Sequence, residues 1–173
     1  MNLIITCPRH FEDEACQEIG RILEEFGDQE PNVTITNMPG ILTGVTCLNP
    51  VDVIEKIRDK IQDEPWSVRY CLRVIPIENC CKTDVKEITK IVQKMSSVLS
   101  PDESFRITIE KRNSKISSAE IISEIAKIIS NKVCLDDPDW IILVEIIGEE
   151  TGVSILRKNS ILSVEKVKRS LSE

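Results

Sequence analysis

FRITIEKRNSKISSAEIISEIAKIIS, residues 105–130, changes period in its middle. Phe105, Ile107 and Ile109 alternate with Arg106, Thr108 and Glu110, which is the pattern of a strand with one buried face. From Ser118 onward Ile121, Ile122, Ile125 and Ile129 recur at helical spacing, predicting a helix over 118–130, and Ser117 followed three residues later by Glu120 is a capping-box signature at its start. A turn at Val133-Cys134-Leu135-Asp136-Asp137-Pro138-Asp139 then leads into Trp140 to Ile147, apolar at nearly every position, as a central strand covered on both faces requires. Strand, capped helix and buried strand in that order predict an α/β unit.

Outward from there, Gly148 to Gly152 turns into a final strand, Val153 to Leu156. Upstream, Val85, Ile88, Ile91, Val92, Met95 and Leu99 mark a helix from Asp84 to about Leu99, stopped by Ser100-Pro101. Residues 2–77 read strand, helix, strand, strand, helix, strand. Leu3-Ile4-Ile5 is the first strand, and Phe11, Ala15, Cys16, Ile19, Ile22, Leu23 and Phe26 line a helix stopped by Gly27. Val33 and Ile35, with Ile41 to Cys47, form a hairpin about Met38-Pro39-Gly40; Val53, Ile54, Ile57 and Ile61 mark a second helix; Val68, Tyr70, Leu72 and Val74 alternate as a fourth strand. The order βαββαβ is the split βαβ, ferredoxin-like arrangement. Glu78 to Thr83 reads as a short linker, which gives domains at 1–80 and 81–160 and a basic C-terminal tail at 161–173. The fold class is α/β (α+β): a ferredoxin-like βαββαβ unit, then an αβαββ unit with a mixed, largely parallel sheet.

A chain of 173 residues buries roughly 70% of its unfolded surface, enough for one substantial core or two small ones. No apolar stretch approaches the roughly 20 residues that a membrane span needs, and no N-terminal leader pattern is present, so the expected setting is cytoplasmic with no membrane association. Seven cysteines (Cys7, Cys16, Cys47, Cys71, Cys80, Cys81 and Cys134), with no CxxC pair, argue for a reducing compartment and against zinc. Cys7, His10 and Cys71 fall near one end of the first sheet, where a metal site is conceivable, but isolated residues of these types more often pack or cap. No metal is assigned.

The net charge of −7 is unevenly distributed. Residues 1–100 hold 11 Lys+Arg against 16 Asp+Glu, and residues 101–173 hold 11 against 13. Within the second half, Phe105 to Ser118 carries Arg106, Lys111, Arg112 and Lys115 against Glu110 alone, and Arg157 to Arg169 carries Arg157, Lys158, Lys166, Lys168 and Arg169 against Glu165. Side by side these segments would make a positive patch within about one Debye length; apart, they are solvated surface. Lys111, Arg112, Asn113 and Lys115 also sit where Ser117 caps a helix, so cations, free backbone N–H groups and the positive end of a helix dipole converge there.

The basic strand end, the Val133-x-Leu135-x-x-Pro138-Asp139 turn, the strand around Val144-Glu145-Ile146 and Gly152-Val153-Ser154-Ile155 together resemble the THUMP domain, over roughly residues 85–160. A ferredoxin-like unit directly before the domain is that family's arrangement. The resemblance implies RNA binding, in the setting of tRNA modification and processing. Enzymes of the family carry a further methyltransferase, thiouridine synthetase or deaminase domain. With 17 residues after Leu156 and no Gly-rich nucleotide loop, the chain is similar instead to the stand-alone THUMP adaptors that present tRNA to an RNA cytidine acetyltransferase in trans. That implies no catalysis and no cofactor of its own, tRNA as the ligand and no DNA. The implied RNA contacts are Arg112, Lys111, Lys115, Asn113, Ser117 and Arg106, with Arg157, Lys158, Lys166, Lys168 and Arg169 on the C-terminal side. Arg112 is foremost, because its planar fork can grip a phosphate. With three Phe, two Trp and one Tyr, stacking is expected to contribute little, leaving shape and backbone recognition.

Two further functions are compatible with these residues. One is RNA recognition for a thiolating or methylating enzyme; the other is a small cysteine-dependent enzyme built on Cys7 and His10. Trp140 is expected in the core, and Trp66 against the linker.

Overall fold

The computed structural model describes residues 1–173, which divide into two compact units: residues 1–77 with 159–173, and residues 78–158. No helix is long and apolar enough to cross a membrane.

The first unit contains β1 (Leu3–Thr6), α1 (Glu12–Glu25), β2 (Asn32–Ile35), β3 (Ile41–Val45), α2 (Pro50–Asp63) and β4 (Arg73–Pro76). The βαββαβ order is therefore present, in an antiparallel sheet ordered β2-β3-β1-β4. The apolar stripes Ala15, Ile19, Ile22, Leu23 on α1 and Val53, Ile54, Ile57, Ile61 on α2 share a core with Leu3, Ile5, Leu42 and Val74. Asn49 caps α2, its side chain accepting from the N–H groups of Val51 and Asp52 with Pro50 at the first helical position, so the helix start is fixed locally.

Three features depart from the sequence reading. The fourth strand begins at Arg73, not at Val68, because the N–H groups of Arg69, Tyr70 and Cys71 donate to the buried carboxylate of Glu18 at 2.7–3.2 Å and not to a strand. Trp66, expected against the linker, is 70% exposed. Residues 161–173 are no free tail: Leu162–Ser163 form a fifth strand antiparallel to β4, Val164–Ser170 form a helix, and Leu162 and Val164 enter the core. In chain order these last two elements are β9 and α5.

The second unit contains β5 (Asn79–Lys82), α3 (Val85–Met95) continued by a 3-10 turn at Ser96–Val98, β6 (Phe105–Arg112), α4 (Ser118–Ile128), β7 (Trp140–Ile147) and β8 (Glu150–Arg157). The segment read as a linker is thus the edge strand β5, paired antiparallel to β8. The sheet runs β5-β8-β7-β6 and is mixed, as expected, although only β6 and β7 are parallel. Its core joins Phe105, Ile142, Val144, Ile146, Val153 and Ile155 to Ile88 and Val92 of α3 and to Ile121 and Ile125 of α4.

Candidate nucleic-acid interface

β6 and β7 run parallel from Phe105↔Trp140 to Arg112↔Ile147, and β8 returns antiparallel to β7, so that Arg157 pairs with Trp140. This register separates the two cationic segments. Lys111, Arg112, Asn113 and Lys115 stand at one end of the second unit's sheet, and Arg157 and Lys158 at the other. Lys166, Lys168 and Arg169 belong to the first unit altogether. The eight sequence-derived positions of the second unit therefore form no single patch.

At the first end, Asn113 adopts a left-handed φ of 51°, which lets the chain leave β6 and return to α4 within a few residues. Ser117 accepts the N–H of Glu120 at 3.2 Å, confirming the cap but not the reciprocal half of a capping box. Lys111 reaches back to donate to the Ile116 carbonyl at 2.9 Å, bracing the loop. Lys115 is exposed and makes neither ion pair nor hydrogen bond. Asn113 and Ser114 open onto a concavity of about 830 Å³, whose other walls are Cys80 to Thr83 on the β5 side and Gly148 to Glu150 at the β7–β8 turn. Glu149 and Glu150 offset Lys82 there, so cationic character is concentrated on the α4 side.

Arg112, foremost in the sequence reading, is committed elsewhere. Its Nη1 donates to Oε2 of Glu145 at 2.7 Å, and the Glu145 side chain is fully buried. A carboxylate inside an apolar strand needs a partner, since removing one member of such a pair leaves an uncompensated buried charge at a cost of about 3–5 kcal/mol. The signal was in the sequence: Glu145 is the one charge in Trp140–Ile147, and a basic residue on a neighbouring strand had to meet it. Arg106 is likewise structural in part, donating to the Leu135 carbonyl at 2.9 Å.

At the opposite end, Arg157 lies over the Trp140 ring, 3.7 Å from its centroid, and pairs with Glu103 at 2.8 Å. Trp140, half-buried and packed against the core, donates its indole N–H to Glu103 at 2.6 Å. These donors, the indole first, then the Ser100 N–H and then Arg157, hold the Glu103 carboxyl down at about 2. Lys158 pairs with Asp137. In the first unit Arg169 pairs with Glu165 at 2.6 Å, Lys168 donates to the Val68 carbonyl at 2.6 Å, and Lys166 is exposed and unpaired.

The cysteine chemistry weighed above finds no support in the geometry. No three His, Cys, Asp or Glu side chains are grouped so as to hold a metal ion. Burial, assisted by Glu12 and Glu14, pushes the Cys7 thiol up to about 11, so almost none of the thiolate nucleophile exists at neutral pH. Cys71 is pushed up further, again by burial.

Two α/β units, the second a mixed four-stranded sheet with both helices packed into its core, define a two-unit α/β fold. Residues 82–156 match the family model of the THUMP domain, and the chain contains a THUMP domain. It is similar along its whole length, at 25% identity, to an uncharacterized protein of Methanocaldococcus jannaschii, of which it spans 46%. It spans less than half the length of each curated relative it matches. Among solved structures, a protein from Pyrococcus horikoshii superposes with a TM-score of 0.66 at 15% identity, over 91% of this chain and 55% of that one. A 4-thiouridine synthetase, solved with RNA and ATP, superposes with a TM-score of 0.58 at 14% identity, over 94% of this chain and 42% of that one. These likenesses establish a shared fold across both units.

Proposed function

We propose that this chain binds RNA through its THUMP domain, and that it holds a tRNA for modification chemistry carried by another polypeptide. A THUMP domain implies RNA binding, and the observation that carries the reading onto residues is the exposed start of α4, where Lys115 stands uncommitted beside Asn113 and the capping Ser117. Free N–H groups, a dipole end and a mobile ammonium suit a phosphate. The finer reading is a cytoplasmic adaptor, without a covalent step or cofactor of its own, that raises the effective concentration of tRNA at an RNA cytidine acetyltransferase in trans. The resemblance of the two-unit order to the stand-alone adaptors supports it.

A second reading, recognition of RNA for a thiolating or methylating enzyme, is favoured by the shared fold with the 4-thiouridine synthetase solved with RNA. Nucleoside analysis of a deletion strain separates the two. Loss of acetylcytidine supports the adaptor, and loss of thiouridine or a methylated guanosine supports the other.

Residue-level evidence comes from Lys115→Ala, with and without Lys111→Ala. Each phosphate contact removed should lower the slope of log K against log salt by roughly 0.7–0.9, and an unchanged slope places the RNA elsewhere. Arg112→Ala is the wrong variant for this purpose, because it removes the ion pair of the buried Glu145.

A further inference from the structure

An open β-sheet ends in two strands that can each accept another, so the two sheets present four such edges: β2, β9, β5 and β6. Three are blunted. β9 is two residues long, β5 is four residues ending in Lys82, and β2 is four residues whose Val33 carbonyl accepts the Cys16 thiol at 3.5 Å. β6 differs from all of them: it runs for eight residues, Phe105–Arg112, without proline and with Ile107, Thr108 and Ile109 in succession. A long edge of β-branched residues is a template for another strand.

Hydrogen bonds at the two ends of β6 fix which of its backbone groups are open. Toward β7, the Ser104 and Arg112 carbonyls accept the N–H groups of Trp140 and Gly148, at 3.0 and 2.9 Å, so the even-numbered residues serve that neighbour. Odd-numbered residues face the other way. Phe105 donates to the Lys132 carbonyl and accepts from Cys134, both at 3.0 Å, where residues 132–134 lie beside it as a parallel bridge. Past that bridge the N–H and C=O groups of Ile107, Ile109 and Lys111 meet no partner in the protein. At Asn113 the left-handed φ of 51° turns the chain away. The open stretch therefore has three outward residues, with Ile109 at its centre.

Such a stretch matches itself. Antiparallel pairing joins outward residues to outward residues, and a two-fold axis through Ile109 sets Ile109 against Ile109 and Ile107 against Lys111 of the second copy, using every open group on both strands. An axis through Thr108 would drive Lys111 of the second copy onto Val133, which already occupies the place beside Phe105. An axis through Glu110 would set two carboxylates directly opposite one another, which is destabilising. In the register that remains, the two Ile109 side chains meet on the face that packs against the core, and on the other face Thr108 stands opposite Glu110, its hydroxyl placed to donate to the carboxylate. The two Glu110 carboxylates, diagonal to one another across the axis, are each flanked by Arg112 of their own strand and Arg106 of the other. Arg106 and Arg112, opposed at the rim, are held within their own protomer by the Leu135 carbonyl and the Glu145 carboxylate.

We propose that the free edge of β6 is a self-association surface, on which a second copy of this chain docks antiparallel about Ile109 and joins two four-stranded sheets into one continuous sheet. Each copy presents the same strand, so the assembly closes as a dimer and does not propagate. The pairing leaves Asn113 to Ser117 outside it and sets the two strand ends at Arg112 roughly 20 Å apart. Both capped starts of α4 stay open, and self-association does not depend on the RNA-binding reading.

Sedimentation velocity of the full chain from about 1 μM to about 300 μM reads the association, which a short strand pair without a wide apolar interface makes weak. A dimer should build up over that range. Amide hydrogen exchange at the two extremes locates it: the N–H groups of Ile107, Ile109 and Lys111 should slow at the high concentration, and those of Arg106, Thr108 and Glu110, already bonded to β7, should not change. Ile109→Pro removes the central N–H at a position where an edge strand tolerates proline, and should leave a monomer. Glu110→Lys sets a cation near Arg106 of the second copy and deprives Thr108 of its acceptor, so it should weaken association about tenfold or more while circular dichroism stays unchanged. Should Ile109→Pro fail to fold, Glu110→Lys carries the test. The proposal falls if the unmodified chain is still monomeric at the high concentration, if it dimerises with these three amides unprotected, or if Glu110→Lys dimerises as tightly as the unmodified chain. Protection of these amides that appears only when a different protein is added would assign the edge to that protein and overturn the proposal as well.

Discussion

Glu103 ties together the end of the second unit where β7 starts and β8 finishes. One carboxylate oxygen takes the Trp140 indole N–H and the Ser100 N–H, and the other takes Arg157, which in turn lies over the indole. The folded carboxyl ionises at about 2, against an ordinary 4.5, so the native state binds this proton less readily than the unfolded state does. A depressed acid of this kind contributes stability that is fully present above the unfolded value and is lost as pH falls through the folded one. The unmodified protein should therefore lose melting temperature between about pH 5 and pH 2 in part through this group. Glu103→Gln should start lower at pH 7 and show a shallower decline, measured by thermal melts across that range. Parallel curves for the two proteins would show that the carboxylate contributes nothing. Trp140, expected in the core, is half-buried and packed against it. Its acceptor was not legible, because 37 positions separate the pair and no pattern links them.

The connection between α2 and β4 shows how one side chain sets an element boundary. Val68, Tyr70, Leu72 and Val74 alternate as a strand should, yet the ladder starts only at Arg73. Glu18 sits within the buried stripe of α1, between Ala15 and Ile19, and its carboxylate replaces a neighbouring strand as acceptor for three successive N–H groups. Glu18→Ala would leave those donors buried and unpaired at about 1–3 kcal/mol apiece, less whatever water recovers, so a loss of about 3 kcal/mol is expected in denaturant unfolding. Hydrogen exchange should locate the effect, with the amides of residues 69–71 exchanging faster and those of β6 and β7 unchanged. Uniform acceleration throughout the chain would refute a local role. The same physics made some elements readable and others not. The alternation in β6, the stripe on α4 and the apolar run of β7 are direct records of burial. Glu18 and Glu145 were visible only as charges in apolar company, and that anomaly announces a buried partner without saying which one.

The chain leaves its first unit at Ile77, builds the THUMP unit, and returns at Asn159 to complete the first. Periodicity in the sequence separates two units but does not reveal this return, since β9 is two residues long and α5 is seven, too short for any periodicity to register. The same return places three cations of the expected patch, Lys166, Lys168 and Arg169, in the unit that residues 1–77 begin. Their structural weight is not small. Leu162 and Val164 are buried in the first core, and burying two such side chains is worth roughly 3–5 kcal/mol, a sizeable share of the 5–15 kcal/mol that typically separates folded from unfolded domains. Ending the chain after Lys158 should therefore weaken the first unit selectively. One tryptophan lies in each unit, Trp66 in the first and Trp140 in the second, so urea unfolding of the Trp140→Phe and Trp66→Phe backgrounds reports the units separately. The truncated chain should lower the midpoint seen by Trp66 by an amount matching those few kcal/mol and leave that seen by Trp140 nearly unmoved. Equal shifts in both would mean that the segment supports the two units alike, and no shift in the first would mean that β9 and α5 only decorate a core already complete without them.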